Sequence, residues 1–166
     1  MSGEGGPGEW VLLSYRVPRQ PSTPRIAVWR KLKRLGVAQI SDGLVALPAD
    51  ARTREQLEWV AEEVLDAGGS AAVWIARPDT AGYEHGLAAA MAADRAAEYR
   101  AIIDAARQAA ASDPDARPAA VRRLRGELRR VTRRDYFPPP ERDQAQAAVE
   151  ALAAEPAPGR AAREPA

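Results

Sequence analysis

The 166-residue sequence predicts an α+β fold, a four-stranded antiparallel sheet with two helices on one face, continued by Ala- and Arg-rich helices. Three observations carry that prediction. Between residues 10 and 76, short runs of β-forming apolar residues alternate with two segments of helical periodicity, in the order β-α-β-β-α-β. Turn and breaker residues stand at the junctions: Pro18 and Pro21, Gly36, Asp42-Gly43, Pro48, and Gly68-Gly69. From Tyr83 onward the pattern changes to alanine-rich helix with no further strand signal.

Each element has its own local cause. Residues 1–9 are Gly-rich and read as a disordered tail. Trp10 to Val17 reads as a strand whose continuous apolar start implies burial on both faces, ended by Pro18 and Pro21. Thr23-Pro24 opens a helix, because a proline at the first helical position loses nothing by lacking an N–H. That helix runs to about Leu35, with Val28, Trp29, Leu32 and Leu35 facing inward and Gly36 as its stop. Val37 to Ile40 and Leu44 to Leu47 form a hairpin around Asp42-Gly43, which tolerates the positive φ angles of tight turns. Thr53 with Gln56 matches a capping box, and Leu57, Val60, Ala61, Val64 and Leu65 follow at helical spacing. Gly68-Gly69 ends the helix, and Ala71 to Ala76 supplies the last strand before Pro78. The order over 10–78 is the split βαβ, or ferredoxin-like, arrangement, whose right-handed crossovers place both helices on one face of the sheet.

Residues 79–154 read as a helical extension, a hairpin plus a short helix rather than a second globular core. Its first helix carries Leu87, Met91, Tyr99, Ile102 and Ile103, and its second carries Val121, Leu124, Leu128 and Val131 on a narrow heptad-type seam. Tyr136-Phe137 and three prolines precede a short helix from about Glu141 to Ala154, and 155–166 reads as a second disordered tail.

Charge is the strongest functional signal. The stretch from Arg16 to Arg34 holds seven basic residues and no acid, and Arg117 to Arg134 holds eight arginines against Glu127 alone. Each block nets +7, so the remainder carries −13 to reach the overall +1. A chain polarised in this way can present basic surface to nucleic acid or another anion. Only Lys31 and Lys33 among the basic residues are lysine, a bias that a GC-rich genome also produces.

Other chemistry is poorly supported. Cysteine is absent, which removes disulfides, thiolate nucleophiles and thiolate metal sites. His85, the single histidine, reads as a surface residue with no nucleophile beside it. No Gly-rich loop has phosphate-loop or dinucleotide spacing, because the early glycines precede the first strand. Glu55, Glu58, Glu62, Glu63 and Asp66 fall mainly off the apolar stripe of their helix, so a solvated face accounts for them. The expectation is a non-enzymatic protein with no metal centre and no cofactor. With no signal segment and no membrane-length apolar run, it is expected to be cytoplasmic and not membrane-bound. Trp10, Trp29 and Trp74 are expected in the core; Trp59 lies off its stripe and is expected to be covered by the later helices or a second subunit.

One ordered set of motifs carries a resemblance. Trp10-Val11-Leu12-Leu13 leading to Pro18, then Arg25, then Val28 through Gly36, resembles the N-terminal domain family of the chromate-resistance protein ChrB. Asp42-Gly43, Leu47-Pro48, Gly68-Gly69 and Asp135-Tyr136-Phe137-Pro138 fall in the order that family shows, so the likeness covers about 10–153. It implies a cytoplasmic protein of a chromate-resistance operon that acts as a chromate-responsive regulator. Full-length members continue into a separate C-terminal domain, so the resemblance implies a stand-alone or truncated form, with a second copy of the chain or a separate protein carrying that domain as alternative partners. The topology also resembles the ferredoxin-like domains of CRISPR integration proteins and PaaX repressors. Nuclease members of that group place a metal-binding aspartate after the first strand, where this chain has Ser14-Tyr15-Arg16; a metal-dependent nuclease is disfavoured.

Three functional expectations result. The first is a regulatory, DNA-binding module that contacts phosphate through Arg122, Arg125, Arg129 and Arg133, with Arg25, Arg30 and Lys33 as a second patch. The second is a sensor or accessory subunit binding chromate or sulfate through Arg16, Arg19 and Arg25 near the start of the first helix. The third is a homodimerising interaction domain whose arginines only solvate its surface.

Overall fold

A computed structural model of the chain describes residues 8–156, so the expected tails lie largely outside the described residues. The chain divides into two compact units, 1–91 and 92–166, with the boundary inside a long helix rather than at the end of the last strand.

In the first unit, strands β1 (Trp10–Arg16), β2 (Ala38–Ser41), β3 (Leu44–Pro48) and β4 (Ser70–Ala76) alternate with helices α1 (Ser22–Leu35) and α2 (Ala51–Asp66). The sheet order is β2-β3-β1-β4 and every neighbouring pair is antiparallel, which is the ferredoxin-like arrangement. Strand alternation sorts the residues. Val11 and Leu13 on β1 lie opposite Leu47 and Val45 on β3, and all four are fully buried with Leu57, Val60 and Val64 of α2. Each such side chain contributes about 1.5–3 kcal/mol by leaving water. Trp10, also buried, points to the other face, where its indole N–H donates to Glu84 at 2.8 Å.

Four local expectations are corrected. Helix α1 begins after Pro21, so Pro24 is its third residue rather than its first. Helix α2 is capped by Asp50, whose carboxylate accepts from the Thr53 amide at 2.7 Å, while the Asp50 amide donates to the Thr53 hydroxyl at 3.0 Å. Thr53 is therefore the third residue of a helix that starts earlier than its own capping signal suggested, and its hydroxyl also donates to the Pro48 carbonyl. In the β2–β3 turn only Gly43 takes a left-handed conformation, at φ 73°, and a register shift between Gln39 and Ser41 absorbs the mismatch. The fourth correction concerns burial. Trp29, Trp74 and Leu65 are each more than half exposed, because Trp29 and Leu65 sit beside rather than on their apolar stripes. Trp74 is on an edge strand, its indole N–H donating to the Ser14 hydroxyl at 3.0 Å. Nothing among the described residues covers Trp59 either.

The second unit contains most of α3 (Ala81–Ala110), a short 3₁₀ turn at Pro114–Ala116, α4 (Arg117–Thr132) and α5 (Glu141–Ala154). The expected hairpin seam is present, with Val121, Leu124 and Val131 buried and Leu128 packed against them. Instead of standing beside that hairpin, α5 inserts Ala145, Val149 and Leu152 into the same cluster as Tyr99, Ile102 and Ile103 of α3, so three helices share one core. Tyr99 is fully buried and donates its hydroxyl to Asp135 at 2.8 Å, which ties the segment after α4 to α3. No helix among the described residues is long and apolar enough to cross a membrane.

Candidate anion-binding site

The antiparallel register brings three chain segments to one end of the sheet: the end of β1, the β2–β3 turn and the start of β4. Between them and the first turn of α1 lies a cleft of about 650 Å³. Tyr15, Arg16, Val17, Pro18, Arg19 and Arg25 line one side, with Asp42, Gly43, Gly68, Gly69 and Ser70 on the other. All three arginines expected of a small-oxyanion site, Arg16, Arg19 and Arg25, are thus brought together. Each is exposed, and none has an ion pair among the described residues.

Backbone geometry makes the cleft. The Tyr15 amide donates to the Gly43 carbonyl at 2.8 Å, holding the hairpin turn against the end of β1. A Cβ on Gly43 would lie 2.5 Å from the Tyr15 carbonyl oxygen, and one on Gly69 would lie 2.2 Å from the Arg16 carbonyl oxygen. Both positions therefore need glycine for close backbone approach. The cap of α1 is Pro21, which provides no side-chain acceptor for the first-turn amides, and that turn carries no acid. This end of α1 keeps its positive dipole uncompensated by its own residues.

Asp42 is the single carboxylate among the lining residues, so the three guanidiniums leave the cleft net positive. At the Tyr15 phenol itself Asp42 outweighs Arg25. Burial pushes the phenol above its ordinary value, Asp42 adds to the rise, and the Arg25 guanidinium opposes it. Three exposed cations around one cleft suit a multivalent anion, with arginine supplying forked donors to two oxygens at once.

The arginine helix has a different character. Arg125 forms a forked contact with Glu150 at 3.0 Å, Arg117 pairs with Glu155 at 3.1 Å, and Arg134 pairs with Glu98. Arg123 approaches Glu127 at 4.0 Å, one turn along the same helix. Arg122, Arg129, Arg130 and Arg133 have no ion pair among the described residues and, at spacings of seven, eight and eleven, share one exposed side of the helix rather than line one cleft. The second patch also divides: Arg25 lines the cleft, Arg30 is exposed on α1, and the Lys33 ammonium sits 5.5 Å from the Trp29 ring centroid. The acids of α2 are mostly exposed, as expected of a solvated face, and His85 is exposed on α3.

Sequence reasoning missed Tyr15, Asp42, Gly43 and Gly69 as parts of a site. They read as strand end and turn punctuation. The signal that could have found them is topological, since an antiparallel sheet in this order necessarily places both Gly-containing turns beside the end of β1.

The family described as "Protein ChrB, N-terminal" matches residues 25–112, more than half of the chain. A curated relative, Protein ChrB of Cupriavidus metallidurans, is 32% identical over 97 residues, which cover 57% of this chain and 26% of the relative. The aligned segment spans only about a quarter of that relative's length. No solved structure matches the chain. On the family match and the shared segment, the chain belongs to the ChrB N-terminal family.

Proposed function

We propose that this chain is a non-catalytic oxyanion-binding module of a chromate-resistance system, holding a tetrahedral dianion of the chromate or sulfate type in the cleft. The observation that carries the proposal is the convergence of Arg16, Arg19 and Arg25, each without an acid partner, on one cleft whose single opposing carboxylate is Asp42. Family membership supports chromate as the physiological member of that anion class. In a regulator, occupancy of the cleft would be the signal that changes contacts elsewhere.

Calorimetric titration with sulfate and with chromate tests this directly. Wild type should bind either dianion, and Arg16→Ala or Arg25→Ala should weaken binding about tenfold or more, the size of one lost charge-assisted hydrogen bond of ~1.5–3 kcal/mol. Equal affinity in wild type and in the triple alanine variant at Arg16, Arg19 and Arg25 would sink the assignment.

A second reading rests on a separate observation. Arg122, Arg129, Arg130 and Arg133 lack ion pairs among the described residues, and together they could neutralise DNA phosphates as a regulator requires. Anisotropy with the upstream duplex and a scrambled duplex across a salt series distinguishes it. Phosphate contacts by several arginines would make affinity fall steeply with salt, and no binding to either duplex at low salt would remove this second reading.

A further inference from the structure

The helical layer of the first unit has two exposed faces of opposite sign lying side by side. Helix α1 contains no acid and exposes Arg30, Lys33 and Arg34. Helix α2 exposes Glu55, Glu62 and Asp66, with Arg52 as the one base, around Trp59, so its face is net acidic. The two helices pack against each other, and a Lys31–Glu63 ion pair crosses the seam between them. Apolar surface accompanies both charges: Ile26 is 45% exposed on α1 and Trp59 57% exposed on α2. On the helical wheel Trp59 points away from the buried stripe of Leu57, Val60 and Val64, so it cannot fold back onto its own core.

We infer that this face docks a second copy of the chain about a two-fold axis, with α1 of each copy lying on α2 of the other. That arrangement places each basic helix on an acidic one twice over, which is the self-complementarity an isologous interface needs. It also gives Trp59 an apolar and cationic bed, the partner's Ile26 and the partner's Arg30, of the kind that buried interface indoles occupy. Charge decides against the other exposed apolar feature, edge strand β4 with Trp74 and Ile75. Helix α2 packs on β4, so edge-to-edge pairing would bring two acidic α2 helices together. The inference is independent of the oxyanion cleft, which lies at the end of the sheet.

Sedimentation velocity on the full chain reads it out. Wild type should dimerise with concentration and dissociate with added salt. Arg30→Glu combined with Arg34→Glu, and separately Glu62→Arg combined with Asp66→Arg, should each weaken self-association about tenfold or more. Mixing the two variants should restore a dimer, because both α1–α2 contacts are again opposite in sign. A variant that had merely unfolded would not be rescued in this way, so the mixture keeps the proposal testable if one reversal is destabilising. A wild-type chain that stays monomeric at the highest concentration reached at low salt would overturn the inference. So would a dimer indifferent to all the reversals, or a mixture that fails to associate.

Discussion

The two basic blocks carry the same net charge in sequence and are compensated to different degrees in the fold. Of the eight arginines on and just after α4, Arg117, Arg123, Arg125 and Arg134 each find an acid, while Arg122, Arg129, Arg130 and Arg133 do not among the described residues. Arg16, Arg19 and Arg25 lie at a strand end, a loop and a first helical turn, and none of them finds one. A helix repeats its faces every turn, so a partner at i+4 or on a facing helix is easily supplied. A loop at the end of a sheet has no such periodic neighbour. Charge density alone therefore does not distinguish the two blocks; on the proposed reading, the lack of compensation where segments meet at one cleft does.

The largest expected effect comes from closing that junction. Gly69→Ala would put a Cβ 2.2 Å from the Arg16 carbonyl and 2.9 Å from a Val64 methyl carbon, forcing β1 and α2 to shift. A loss of about 2–3 kcal/mol in denaturant unfolding is expected, with loss of sulfate binding. Gly86→Ala is the matched control: nothing lies within 4 Å of its Cβ, and it sits inside α3. It should stabilise by about 0.5–1 kcal/mol and leave binding unchanged. Equal effects at the two glycines would remove the special status of the cleft.

Next in size is the exchange of arginines between the blocks. Arg25→Ala should reduce sulfate affinity about tenfold, while Arg122→Ala, Arg129→Ala and Arg133→Ala together should leave it within error. The reverse pattern would transfer the anion site to α4. A smaller effect should come from Glu150→Gln, which releases Arg125. Both partners are close to half exposed or more, so stability should change by less than about 1 kcal/mol. If α4 contacts DNA, the freed guanidinium should tighten duplex binding at low salt. An unchanged anisotropy midpoint would count against the second reading.

What was legible in the sequence followed local rules. Each strand ended at its Pro or Gly, and Gly36 closed α1 in the left-handed conformation that only glycine adopts readily. Arg16, Arg19 and Arg25 were reachable because a helix start with no acid is a local feature. The losses came where a decision depended on neighbours distant in sequence. Trp29 is one residue from Val28 and about 100° around the helix, so stripe membership was undetermined until the sheet fixed the direction of the core. Helix α5 offers only Val149 and Leu152 as large apolar anchors, too few to announce a core that Ala145 completes by being small. Asp42 and Gly69 joined the cleft through strand order, which no single segment encodes.

The smallest predicted effect is also the most specific to the cleft. Tyr15 and Tyr99 both have phenols raised above the ordinary value of 10.0, each chiefly by burial. Their surroundings differ. Tyr15 faces Arg25 and Asp42 in the cleft, whereas Tyr99 is held among Thr132 and Asp135 in the helical core. A dianion beside Tyr15 adds negative charge next to the group that must ionise, so sulfate should raise the Tyr15 titration further and leave Tyr99 where it is. Arg25→Ala removes the cation that lowers the Tyr15 value and should raise it even without sulfate. By linkage, sulfate affinity is then constant below pH 10 and falls as pH rises through the Tyr15 titration, because the phenolate repels the anion. Phenolate absorbance in wild type, Tyr15→Phe and Tyr99→Phe separates the two groups. A sulfate-dependent shift that survives Tyr15→Phe would place the anion away from Arg25, and the distinction between compensated and uncompensated arginines would lose its chemical consequence.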